Sequence, residues 1–133
     1  MTLKIQGMVP LIQVFDMPAS LAFYRDKLGF EVIQTSGQGD RSGWVMLKLN
    51  DVMLMLNTQF EDEYRPADPD KVRMGYHDDT VFYFGCPDVN AAHNYFLSKA
   101  IAVEKPYVTD YGFNAIDITD PDGYHLCFQW PVE

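Results

Sequence analysis

Two stretches of this chain share one design, and a chain built twice from the same unit has few folds open to it. Val9 to Phe30 reads VPLIQVFDMPASLAFYRDKLGF. Its first seven residues are apolar and β-branched enough for a half-buried strand, and Asp16 offers a side-chain oxygen to the free amides of a starting helix. Pro18 falls in the first helical turn, where its missing N–H costs nothing. Leu21, Tyr24 and Leu28 recur on one helical face, and Gly29 can take the left-handed conformation that ends a helix. From Thr80 the order returns. VFYFGCPDVNAAHNYFLSKA holds an apolar run, a capping Asp88, and a helix with Val89, Ala92 and Phe96 on one face. The capping aspartates are 72 residues apart, and measured from them Ala19 matches Ala91, Phe23 matches Tyr95 and Tyr24 matches Phe96.

Strands follow each helix. Thr35 to Ser42 is rich in Gly, Gln and Ser, as a turn should be. Trp44 to Leu49 then alternates, with Val45, Leu47 and Leu49 on one face and Trp44, Met46 and Lys48 on the other. Asn50-Asp51 turns into a strand whose Val52, Leu54 and Leu56 belong under the helix, leaving Met53, Met55 and Asn57 opposite. In the second half Asn114 to Ile118 alternates, Asp120-Pro121-Asp122-Gly123 makes a tight turn, and Tyr124 to Trp130 is the last strand. Leu126 and Phe128 point to the helix layer, which puts His125, Cys127 and Gln129 on the other side. The pattern predicts helices over 18–28 and 89–99 within modules at about 8–57 and 80–131. The acidic stretch 58–79 joins them as a lid or a linker, and Phe60, Tyr64 and Tyr76 favour some packing there.

Composition narrows the partners. A formal charge of −9 repels phosphate backbones and argues against nucleic acid. No apolar run approaches the ~20 residues that span a bilayer, and the start of the chain lacks the regions of a signal peptide, so a cytoplasmic location with no membrane contact is the expectation. Two cysteines, Cys86 and Cys127, are too few for a disulfide framework and read as reduced thiols.

The pattern Val14, Asp16, Ser20, Phe23, Tyr24, Leu28, Gly29 and Phe30, together with the DPDG turn before an apolar strand, resembles the vicinal oxygen chelate superfamily. That superfamily holds glyoxalase I, fosfomycin resistance enzymes, extradiol dioxygenases and bleomycin resistance proteins. The resemblance runs from about Val9 to Trp130 and implies an α+β fold of paired βαβββ modules, with curved mixed sheets enclosing a cavity, usually in a homodimer. In its metal-dependent members the strands supply His, Gln and Glu ligands. The corresponding positions here are Val9, Val81 or Phe82, Met55 and Cys127, which cannot furnish a divalent-ion shell. His125 and Asp117 could join Cys127, but their spacing matches no standard site. His77 and His93 read as solvated surface residues, and no catalytic residue is assigned.

With the aliphatic faces given to the helices, the expected ligand-binding residues are Gln13, Trp44, Met46, Met55, Phe82, Phe84, Phe113, Asp117, Cys127 and Gln129. Thioethers and aromatic rings adapt to flat or irregular ligands, while amides and a carboxylate fix orientation. The expectation is a protein similar to the metal-free, bleomycin-resistance-like members. It would hold a small cationic or aromatic ligand in a homodimer, with no metal and no other cofactor. A metal-dependent lyase or dioxygenase with displaced ligands is the alternative.

Overall fold

In the computed structural model, which describes residues 2–133, β1 (Leu11–Val14) leads to Asp16, whose carboxylate accepts the Ala19 N–H at 3.3 Å and starts α1 (Met17–Leu21). The helix continues as a π-helix over Ala22–Lys27, and β2 (Glu31–Thr35), β3 (Trp44–Leu49) and β4 (Val52–Thr58) follow. The sheet order is β1-β4-β3-β2, with β1 parallel to β4 and the other pairs antiparallel. This βαβββ unit ends at Arg65. Its register puts Ile12, Leu56 and Val45 side by side, next to the pair Leu47 and Leu54. All five are buried, as are Met17, Leu21 and Tyr24 of the helix, which lies against β4. Each such side chain contributes about 1.5–3 kcal/mol by leaving water, and that burial fixes which face of the sheet stays open.

The second unit, from Pro66, repeats the plan. It begins with α2 (Lys71–Tyr76), capped by the Asp70 carboxylate, and a 3-10 turn at His77–Asp79. Then come β5 (Val81–Gly85), α3 (Val89–Ser98), β6 (Tyr107–Val108), β7 (Phe113–Thr119) and β8 (His125–Pro131). The order is β5-β8-β7-β6, again with one parallel pair, β5 with β8. The Asp88 carboxylate accepts the Ala91 N–H at 2.9 Å, the counterpart of the Asp16 cap. α3 packs on β7 and β8, with the Phe96 and Phe128 rings 5.1 Å apart. Two βαβββ units with mixed four-stranded sheets are the α+β fold that the repeat predicts.

The first helix departs from the ordinary α-helix expected over 18–28. The Leu28 N–H donates to the Phe23 carbonyl, five residues back, at 2.9 Å. The Phe30 N–H then bonds the Tyr24 carbonyl, whereas in the second unit the Ile101 N–H bonds Phe96. Tyr24 and Phe96 are 72 residues apart, but Phe30 and Ile101 only 71, so the first helix carries one residue more. In an α-helix that residue would swing everything after it by about 100°. Tyr24 and Phe30 are both buried, and the widened turn lets both keep their places.

The stretch 58–79 is also more structured than the sequence expectation. A 3-10 turn forms at Asp62–Tyr64 in the first unit, and α2 forms in the second. His77, expected in solvent, is buried. Its Nδ1 donates to the Asp122 carbonyl at 2.6 Å, which leaves Nε2 to accept the Tyr124 hydroxyl at 3.2 Å. The Asp120 carboxylate accepts the Asp122 and Tyr124 N–H groups at 2.9 Å each, so the turn that α2 docks on is itself tightly tied.

Candidate functional site

Each sheet has one face covered by its helix and one face left open. In the first unit the open face carries Leu11, Met46 and Met55 in one row and Gln13, Trp44 and Asn57 in the next. Asn57 Nδ2 donates to Gln13 Oε1 at 3.3 Å. All four residues expected here, Gln13, Trp44, Met46 and Met55, therefore share one half-buried surface of thioethers, an indole and an amide pair. Val9 precedes β1 and belongs to no strand.

In the second unit the structure brings together Phe113, Asp117, Cys127 and Gln129 but not Phe82 and Phe84. Phe82 is aligned with Leu126 and Phe84 with Phe128, on the helix-covered face. Phe84 stacks on Phe128 with centroids 4.6 Å apart, and Phe82 lies 6.1 Å from Tyr124. These two rings were expected on the open face because VFYFG is apolar or aromatic on both faces, and such a strand has no alternation that fixes its phase. The register puts Val81 beside His125 and Tyr83 beside Cys127 on the open face.

Tyrosines that the sequence reading did not single out complete this surface. The Tyr107 hydroxyl donates to Asp117 Oδ2 at 2.6 Å, and the Tyr111 hydroxyl to Gln129 Oε1 at 2.7 Å. Tyr111 also lies against Phe113, with centroids 5.2 Å apart. Tyr83, Tyr107 and Tyr111 are all substantially exposed, while Ala115 and Cys127 form a buried floor. The bond to Asp117 pushes the Tyr107 hydroxyl well above the usual tyrosine pKa, so it stays protonated and remains a donor. Burial, helped by the neighbouring Asp117 carboxylate, pushes the Cys127 thiol up to about 12. A thiol so shifted is a poor nucleophile and a poor metal ligand at neutral pH. At the near end of the face, His125 Nε2 lies 2.5 Å from Asp78 Oδ1, and Nδ1 lies 3.0 Å from Thr119 Oγ1. The strand alternation placed His125 on this face, but Asp78 is 47 residues away and nothing in the sequence pairs the two.

Along its parallel strand pair the first unit's open face carries Leu11, Met55, Gln13 and Asn57, and the second unit's carries Val81, Tyr83, His125, Cys127 and Gln129. Among the described residues no group of three or more His, Cys, Asp or Glu could hold a metal ion. What the second unit's open face can do is stack rings, bury apolar groups and direct one carboxylate and one amide, Asp117 and Gln129, at a bound molecule.

Two βαβββ units with mixed four-stranded sheets, each with one helix-covered face, define the class of fold. Residues 6–128 match the Glyoxalase/Bleomycin resistance protein/Dioxygenase superfamily, and the chain belongs to that superfamily. Among solved structures it is similar to a bleomycin resistance determinant encoded on the transposon Tn5. The two are 18% identical over 97% of this chain and 100% of the other, with a TM-score of 0.72. It is also similar to a lactoylglutathione lyase from Agrobacterium tumefaciens (21% identity, 95% and 94% covered, TM-score 0.66). A virulence protein from Salmonella typhimurium shares the fold too (20% identity, 98% and 100% covered, TM-score 0.67). At these identities the likeness is one of fold. No curated protein matches the sequence significantly. Among the described residues, no helix is long and apolar enough to cross a membrane.

Proposed function

We propose that the protein binds a small ligand of cationic and aromatic character on the open face of its second sheet, without a metal centre of its own, and that it works as a homodimer. The observation that carries this reading is the bond between Tyr107 and Asp117. It holds an exposed carboxylate beside exposed tyrosine rings, and among the described residues no Lys or Arg forms an ion pair with it. A cation resting on ring faces gains from their quadrupoles, and a carboxylate at the rim supplies the opposite charge. The formal charge of −9 favours the approach of the same ligands. Support for a dimer comes from the sheet edges. β1 and β5 are edge strands, and Leu11, Val81 and Tyr83 on them are exposed, a surface that a second copy would cover.

Calorimetric titration with benzyltrimethylammonium tests the site. Binding should weaken about tenfold or more in Asp117→Asn and in Tyr107→Ala, a loss of about 1.4 kcal/mol. Equal affinity in the wild type and both variants would move the ligand elsewhere. Light scattering at micromolar concentration should give twice the chain mass. Stoichiometric zinc, nickel, manganese or iron surviving dialysis against a chelator would overturn the metal-free part of the reading.

A further inference from the structure

Asp78, His125 and Thr119 form a hydrogen-bonded chain that the proposed ligand site does not use. His125 opens β8 and Thr119 closes β7, and the two are direct partners across the antiparallel pair, so their side chains stand together on the open face. Asp78 reaches them from the 3-10 turn, whose first residue, His77, is buried and bonded to Asp122. An ionised carboxylate can only accept, so His125 Nε2 carries the proton shared with Asp78. When the ring is neutral, Nδ1 is a lone pair to which the Thr119 hydroxyl, 3.0 Å away, can donate. A carboxylate, an imidazole and a hydroxyl in that order, with both ring nitrogens engaged, is the arrangement that turns a neutral alcohol into a nucleophile.

We propose that this chain is an acyl-transfer site for activated esters, with Thr119 the nucleophile, His125 the general base and Asp78 its positioning residue. Thr119 is exposed and His125 half-buried, so an ester carbonyl can approach the hydroxyl. Thr119 Oγ1 adds to the carbonyl carbon while its proton passes to His125 Nδ1. The bond to the leaving oxygen then breaks, and that oxygen keeps the electron pair and takes the proton from Nδ1. Water repeats the sequence on the acyl-threonine: His125 accepts its proton, the carboxylic acid leaves, and Thr119 Oγ1 regains its hydrogen. No oxidant or cofactor enters the balance. The chain activates attack and does not by itself stabilise the oxyanion, which restricts the substrates to esters with good leaving groups.

The test uses the full chain and p-nitrophenyl acetate, following p-nitrophenolate release and locating the acetyl group by peptide mass spectrometry. The acetyl should appear on Thr119. Thr119→Val, which keeps the shape, should abolish both the adduct and the release above the uncatalysed rate, and Thr119→Ser should retain them. His125→Gln should slow acylation about 10²–10⁴-fold. Asp78→Asn should lower the maximal rate without moving the concentration dependence, a split that mere loss of a docking contact would not produce. An unmodified Thr119 in the wild type, or equal release by Thr119→Val, overturns the proposal. The Val and Ser pair decides the matter even where His125→Gln fails to fold.

Discussion

The His77 ring lies stacked on the Tyr124 ring, centroids 4.0 Å apart and planes 10° from parallel, and this contact fastens α2 to the turn before β8. His77→Ala removes the ring contact and leaves the Asp122 carbonyl and the Tyr124 hydroxyl without their His77 partner. The expected loss is about 2–4 kcal/mol, read from urea unfolding. Tyr124→Phe keeps the ring and removes one hydroxyl, so it should lose only about 0.5–1.5 kcal/mol.

Gly123 should tolerate no side chain. Its φ is +90°, and a Cβ there would lie 3.1 Å from the Met74 carbonyl oxygen. Backbone strain and the close approach act together, so Gly123→Ala should destabilise by more than about 1 kcal/mol. The midpoint of thermal unfolding checks this.

Cys127 should be silent toward alkylating agents in the folded protein. With the thiol held near 12, about one molecule in ten thousand carries the thiolate at pH 8. Partial burial also raises the Cys86 thiol. Iodoacetamide labelling of Cys127 should therefore be far slower in the native protein than in urea. A raised pKa favours the neutral thiol in the folded state. The stability it lends is complete below the ordinary thiol value and is lost as pH climbs toward 12. Cys127→Ala should remove that part of the alkaline destabilisation.

Deleting Asp26 should leave the fold intact. The deletion removes an exposed residue from the π-helix and gives the first helix the length of the second. The Arg25 contact with Asp26 is lost, but the contact with Asp40 remains. Far-UV circular dichroism should be unchanged, whereas deleting the buried Tyr24 should unfold the unit.

The sequence made the covered faces legible because their residues alternate cleanly. Val45 and Leu47 against Met46 and Lys48, or Leu126 against His125 and Cys127, leave one choice of phase. VFYFG is apolar or aromatic at every position and fixes no phase, and only the pairing with β8 shows that Tyr83, not Phe82 and Phe84, stands on the open face. Tyr107 and Tyr111 sit in and beside a two-residue strand too short to show any period. Their roles depend on hydrogen bonds to residues ten and eighteen positions away. His77 escaped for a related reason: its acidic neighbours look solvated, and only the docking of α2 buries it.

The extra residue in the first helix has a counterpart later in the chain. β3 and β4 are joined by Asn50 and Asp51 alone, while β7 and β8 are separated by Asp120 to Tyr124. The longer turn in the second unit restores the spacing that the longer helix in the first had shifted. Met55 and Cys127 are thus 72 residues apart again, although Met46, which lies beside Met55, and Asp117, which lies beside Cys127, are 71 apart. A self-alignment at a single offset is therefore sound at both ends of the repeat and out of step between them. At that offset Asp117 pairs with Val45, a core residue facing the helix, and the kinship between Asp117 and Met46 is hidden. Any role carried from one half of such a chain to the other has to follow the strands and not the numbering.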